Sequence, residues 1–266
     1  MLIKKNILLS LFKKIKKKFQ KEVEQDKEEN TWREMDRMMG HEAQTETTSI
    51  GEVQLPSTIQ KKIFIIGFNK TATKCFDNFF RKNNVKSIHH NMKKNHFQDY
   101  NLRKKYDKGI SLVKFFLENK NNSKNLLYGI DSSYIVFSDI TDDEKCLDAK
   151  DFYKQLDKEN PGSKFILNIR SVDDWIKSRL NHRCPYHKFS LLEYHLQHYK
   201  CNPNELKKIW RDIYFNHIKD VENYFKLNNK MNDLLIYNID YDTPDKISNF
   251  LSDMYILDTK HFIKIK

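Results

Sequence analysis

The 266-residue sequence is short of the residues that interrupt a chain, with only six Gly and five Pro. That scarcity, beside 32% charged residues, suggests a helix-rich and tightly connected fold. Four cysteines, Cys75, Cys146, Cys184 and Cys201, are widely scattered and form no CxxC pair. They are too few for a disulfide-dense secreted scaffold, so a reduced, cytosolic compartment is the default expectation. No apolar run approaches the roughly 18 residues of a membrane span. The short run Ile7–Phe12 passes directly into KKIKKK with no small-residue cleavage site, unlike a signal peptide.

What is present begins with charge. The formal net charge is +12, with 39% hydrophobic and 13% aromatic residues to build a core. Residues 1–21 hold eight Lys and no acid, whereas residues 22–36 hold seven acids against Lys27 and Arg33. The remainder of the chain is therefore basic in its own right. A basic body suits an anionic ligand such as a nucleotide, a phosphate or an acidic glycan, and equally suits a solvated Lys-rich surface.

Ile3, Ile7, Leu11, Ile15, Phe19 and Val23 recur every four residues opposite a Lys face, which predicts an amphipathic helix over 2–23. Such a helix fits an anionic membrane surface, or docking on the body or a partner chain. A polar stretch follows, so the expected organisation is an N-terminal arm over 1–60 and a folded domain over 61–266. Within the domain, short apolar runs alternate with helical patterns. Strands are expected at 62–68, 85–90, 134–139 and 234–240, and, after a turn, within 161–170. Helices are expected over 71–82, within 102–119, over 147–159 and 172–181, over most of 188–200 and 204–228, and from Thr243/Pro244 to about Ser252. That alternation predicts a three-layer α/β/α domain with a mainly parallel sheet, whose ligands bind at the carboxyl ends of its strands.

The first strand runs into Gly67-Phe-Asn-Lys-Thr-Ala-Thr-Lys74 and then a helix. A loop at a helix N-terminus offers unpaired N–H groups and the positive end of the helix dipole, which suits a phosphate. Lys70, Thr71 and Thr73 add a charge and two hydroxyls. The loop is not the G-x-x-x-x-G-K-[ST] loop of nucleotide kinases, because Ala72-Thr73-Lys74 stands where Gly-Lys-Thr would be. It resembles the P-K-[ST]-G-T-T loop of sulfotransferases that use 3′-phosphoadenosine 5′-phosphosulfate. Asn69 stands in place of the family Pro, Ala72 of the Gly, and Lys74 of the second Thr. The resemblance implies that Lys70 holds the bridging oxygen and 5′-phosphate, with Thr71 and Thr73 on the phosphosulfate oxygens.

A second segment carries the same resemblance. Pro161-Gly-Ser-Lys-Phe-Ile-Leu-Asn-Ile-Arg170 is followed eight residues on by Ser178, with Trp175 between. An Arg leaving a buried strand can fork onto a phosphate. The family match makes Arg170 and Ser178 the 3′-phosphate pair, and the resemblance extends over about residues 62–252, implying a P-loop-like sulfotransferase fold. Glycan-acting relatives place a Glu base at the end of the second strand, where this sequence has His89 and His90. Neighbouring strand residues face opposite ways, so only one His reaches the cleft unless the strand has already ended. Asp139 is the other candidate base.

The implied donor is 3′-phosphoadenosine 5′-phosphosulfate, no metal is expected, and the acceptor is a hydroxyl, with a glycan or lipid suspected. Cys184, His187, His195, His198 and Cys201 raise a structural zinc reading without standard finger spacing, beside an acceptor-contacting or surface one. The Lys stripe matches no nucleic-acid recognition module, so no nucleic-acid partner is expected. The location expected is cytoplasmic, with residues 2–23 as a candidate membrane contact. The alternatives left open are a nucleotide-binding protein impaired in catalysis and a nucleotide-kinase-like enzyme.

Overall fold

The computed structural model describes residues 61–182 and 189–264. The helix expected over 2–23, the linker to residue 60, and Cys184 with His187 lie outside the described residues. In chain order come β1 (Ile63–Ile65), α1 (Thr73–Lys82), β2 (Ser87–His89), β3 (Asn91–Met92), α2 (Tyr100–Lys105), β4 (Ile110–Ser111), α3 (Leu112–Asn121) and β5 (Val136–Ser138). Then follow β6 (Thr141–Asp142), β7 (Leu147–Asp148), α4 (Tyr153–Glu159), β8 (Lys164–Ile169), α5 (Val172–Leu180), α6 (Leu191–Tyr199), α7 (Pro203–Leu227), β9 (Leu234–Asn238) and α8 (Pro244–Phe250).

Five strands form one sheet in the order β2-β5-β1-β8-β9, and every pair is parallel. Both faces are buried, which is why these strands read as continuous apolar text. Ile63, Ile65, Val136, Ile166, Leu235 and Tyr237 pack with Cys75, Phe76, Phe79 and Phe80 of α1 and with Ile247 of α8. On the other face Phe64 meets Phe137 and Phe165, with ring centroids 5.5 and 5.1 Å away, and Phe165 meets Phe225 of α7 at 5.0 Å. Burying each such ring contributes about 1.5–3 kcal/mol. Helices thus cover both faces, as the alternation of the sequence predicts. The long α7 starts cleanly because Asn202 accepts hydrogen bonds from the Asn204 and Glu205 N–H groups and Pro203 occupies the first turn.

One expected helix is shorter than its sequence suggests. Residues 147–152 are not α-helical; Leu147 and Asp148 pair antiparallel with Asp142 and Thr141 as a small hairpin, and Ala149–Asp151 add a short 3-10 turn. The Asp142 side chain accepts from the Lys145 N–H at 3.1 Å, and Cys146 takes a left-handed backbone with φ 53°. This local turn chemistry overrides the apolar spacing, and the helix begins only at Tyr153.

Among the described residues no helix is long and apolar enough to cross a membrane. The chain leaves β1 to build β2 and β5 on one side and β8 and β9 on the other. The reversal falls at β1, so the carboxyl ends of β5, β1 and β8 open onto the crevice where such sheets bind ligands.

Candidate active site

The loop between β1 and α1 is shaped by two left-handed residues, Lys70 with φ 69° and Ala72 with φ 67°. Each costs a non-glycine residue roughly 1–2 kcal/mol, strain of the kind that gathers at functional sites. No side chain caps α1 at Ala72; the Cys75 N–H turns back to Ala72 O at 2.8 Å, and the Thr73 and Lys74 N–H groups have no acceptor among the described residues. Asn69 is buried; its Nδ2 donates to Asp143 Oδ1 at 3.1 Å, and its Oδ1 has no partner. Lys70 Nζ donates to His182 Nδ1 at 3.1 Å. Burial holds the Lys70 ammonium below its ordinary range, while the Asp139 and Asp143 carboxylates pull it back up. The Thr71 hydroxyl is turned inward, donating to Phe68 O at 2.5 Å and accepting from Asn168 Nδ2 at 2.7 Å. Thr73 Oγ1 donates to Asp139 Oδ1 at 3.3 Å.

Asp139 gathers the second group. It follows β5 in a left-handed conformation, φ 54°, and its Oδ2 lies 3.9 Å from His89 Nδ1 and 3.8 Å from His90 Nδ1. Both rings reach the same carboxylate because β2 ends at His89 and His90 reverses the backbone with φ 58°. The strand-alternation argument therefore does not apply to His90. His89 Nε2 and His90 Nδ1 are buried and have no hydrogen-bond partner.

The third group comes from β8 and α5. Arg170 leaves β8 with its N–H donating to Tyr214 Oη at 2.9 Å, while the same hydroxyl donates to Arg170 O at 2.7 Å. Burial pushes the Tyr214 phenol above its usual range, so it remains a neutral two-way clamp on the Arg170 backbone. Arg170 Nη1 reaches Lys70 O at 3.4 Å, and its buried Nε has no partner. Trp175, buried on α5, donates Nε1–H to Asn69 O at 2.9 Å. Trp175 of α5 and Arg170 after β8 thus brace the loop from behind.

The structure brings Asn69, Lys70, Thr71, Ala72, Thr73 and Arg170 to one mouth, and joins His89, His90 and Asp139 to it through Thr73. Ser178 stands half-buried on α5 and Lys74 is exposed on α1. Among the described residues no hydrogen bond ties either of them to the others. Asp143, Asn168, His182 and Tyr214 reach this constellation without having been read as site residues.

The cluster read for zinc is partly absorbed by the core. His195 is buried, with Trp210 Nε1 donating to its Nδ1 at 3.1 Å and Arg179 Nη2 lying 3.1 Å from its Nε2. Arg179 itself lies 4.7 Å from the ring centroids of both Trp175 and Trp210. Among the described residues no group of three or more His, Cys, Asp or Glu is arranged to hold a metal ion.

Burial, with Arg179 beside it, pushes the His195 imidazole down to about 2. An unfolded His titrates near 6.5, so the unfolded chain takes up a proton that the folded chain refuses. The stability contributed by neutral His195 is complete above about pH 6.5 and is lost as pH falls below it, by up to about 1.4 kcal/mol per pH unit. Melting temperatures from pH 7.5 to 5 should therefore fall less steeply for His195→Asn than for the parent chain, as tested by scanning calorimetry on the full chain.

A parallel α/β sheet with an uncapped helix start, a lysine-bearing loop and an arginine beside its switch point offers hydrogen-bond donors and positive charge that suit an anion. The family defined by the sulfotransferase domain matches residues 62–252, and the chain belongs to that family. Among solved structures, a sulfotransferase from Alicyclobacillus acidocaldarius is similar at 14% identity, over 79% of this chain and 87% of that one, with a TM-score of 0.40. No curated protein matches the chain.

Proposed function

We propose that this sulfotransferase-family protein takes its sulfuryl group from 3′-phosphoadenosine 5′-phosphosulfate and delivers it to a hydroxyl of a glycan, lipid or small-molecule acceptor. The observation that carries the reading is the pairing of two anion-seeking elements on one crevice. One is the Lys70 loop at the uncapped start of α1; the other is Arg170, whose buried Nε has no partner. A donor with phosphate-type charge at both ends fits that pairing, since each of these groups is a hydrogen-bond donor.

In the transfer, the sulfur–oxygen bond to the 5′-phosphate breaks as a bond to the acceptor oxygen forms, and the acceptor proton passes to a base. Lys70 stabilises charge developing on the departing oxygen, and the first-turn N–H groups of α1 do the same for the anionic group beside it. Thr73 adds a hydroxyl on the side of Asp139, while Thr71 serves the loop through its inward bonds. Arg170 and Ser178 hold the 3′ end, and the exposed Lys74 adds cationic charge at the mouth. His89 or His90 is the base, with Asp139 orienting the ring and stabilising it once protonated, or acting as the base itself. The family chemistry requires no metal.

Donor turnover can be followed without knowing the acceptor, as release of 3′,5′-adenosine bisphosphate. Transfer of labelled sulfate to glycan and lipid-linked alcohols then identifies the acceptor class. Asp139→Asn should lower turnover by about 10²-fold or more, and one of His89→Gln and His90→Gln should match it, the scale of a lost general base. Unchanged turnover in all three variants would remove this trio from the mechanism. Binding of the bisphosphate with no turnover under any acceptor would favour a donor-binding protein instead. A cytoplasmic protein held at a membrane surface, acting on a lipid acceptor, is the version of this proposal that residues 2–23 favour.

A further inference from the structure

Strand β8 is apolar from Phe165 to Ile169 with one exception, Asn168, which is fully buried in the central region of the sheet. A buried amide costs several kcal/mol unless its hydrogen bonds are made, at roughly 1–3 kcal/mol for each lost partner. Asn168 makes them all within the donor loop. Its Oδ1 accepts from Gly67 N–H at 2.9 Å, and its Nδ2 donates to Thr71 O at 2.6 Å and Thr71 Oγ1 at 2.7 Å.

These bonds begin where the sheet stops. The β1–β8 register ends at Ile65 opposite Ile166, and the last backbone bond runs from Ile66 N–H to Ile166 O at 2.9 Å. Beyond it the Asn168 side chain takes the part of a backbone partner. Gly67 permits this approach, because a Cβ there would meet Asn168 O at 2.1 Å and Oδ1 at 2.4 Å. Two residues on, just past the end of the same strand, Arg170 reaches Lys70 O. One strand therefore holds the loop at its base and also carries the arginine for the other end of the donor.

We propose that Asn168 is a positioning residue for sulfuryl transfer, setting the Lys70 loop at a fixed height against Arg170. This rests on the donor reading given above. Lys70 acts on the reacting end and Arg170 on the far end, so their separation decides whether the bound donor lies ready for in-line attack. A misplacement of about 1 Å at such a site lowers the rate by about 10²-fold while leaving most of the binding intact. Asn168→Asp keeps the shape but turns lone pairs toward Thr71 O; Asn168→Ser is smaller and removes the amide donors.

The test uses the full chain with both substitutions, measuring turnover of the donor, calorimetric binding of 3′,5′-adenosine bisphosphate, and hydrogen exchange at the Gly67 and Thr71 amides. The expected result is a fall in turnover of about 10²-fold with the bisphosphate Kd raised less than about tenfold. Full turnover in a folded variant, with only the melting temperature lowered, would overturn the proposal and leave Asn168 as a core residue. Equal losses in binding and turnover would also overturn it. If the parent chain neither binds nor turns over donor, the donor reading fails separately. Exchange then decides the rest: faster exchange confined to residues 67–71 in the variants keeps Asn168 as the lock of this loop, and unchanged exchange refutes it.

Discussion

Lys70→Ala is expected to lower donor turnover by about 10³-fold, the upper end of what one preorganised donor to a developing oxyanion supplies. The effect should be large because Lys70 has little help. The flanking Asn69 is engaged with Asp143, the Thr71 hydroxyl is turned into the loop, and Thr73 points its hydroxyl at Asp139. Lys70 is also held ready, since its ammonium already sits 3.1 Å from His182 and near two carboxylates. Binding of the bisphosphate product should weaken less than turnover, because the α1 N–H groups and Arg170 remain. Lys70→Arg should recover only part of the rate, since a planar fork does not replace a point charge in a tight loop. The measurement is release of bisphosphate under donor saturation, beside the calorimetric Kd of the same variants.

Arg170→Ala should give the opposite pattern, a Kd for the bisphosphate raised about 10²-fold with turnover at saturating donor changed much less. Losing a charge-assisted bond to a phosphate removes roughly 1.5–3 kcal/mol, and Arg170 offers several such donors, including a buried Nε with no protein partner. Some loss of turnover is expected as well, because Nη1 also supports Lys70 O. Arg170→Lys should remain weak, since the fork geometry is lost. A variant in which turnover collapses while Kd stays put would reverse the assignment of the two ends.

The strands that precede Lys70 and Arg170 were legible from sequence because they are local, strongly patterned elements. Ile63–Ile65 and Lys164–Ile169 are buried strands with continuous apolar text, the first leading into the loop that holds Lys70 and the second directly into Arg170. The same holds for the apolar face of α1, where Cys75, Phe76, Phe79 and Phe80 share one side. The structure adds what only long-range packing can decide. Asn168 and Tyr214 are each tens of residues from the groups they hold, and a buried Asn inside an apolar strand gives no local sign of its partners. The two His were readable at the strand end, yet the reversal at His90 that brings both to Asp139 was not, because left-handed backbone at a His has no sequence period. The hairpin at 141–148 escaped for a similar reason, its turn being fixed by Asp142 and Cys146 rather than by apolar spacing.

The departures of the loop from the family pattern take on a physical meaning as well. Ala72 occupies a position with positive φ, where glycine would be free of strain, and Lys74 turns to solvent. The chain compensates around them: Trp175, Asn168 and Arg170 each donate to the loop, to Asn69 O, to the Gly67–Thr71 segment and to Lys70 O. The loop is held from behind by the strand that leads into Arg170 and the helix that carries Trp175 and Ser178.

The most direct test of this account is titration calorimetry of the full chain with 3′,5′-adenosine bisphosphate. The account predicts saturable binding at one site per chain, weakened about 10²-fold by Arg170→Ala. An absence of binding under conditions where the chain is folded would contradict both the donor assignment and the transfer built on it.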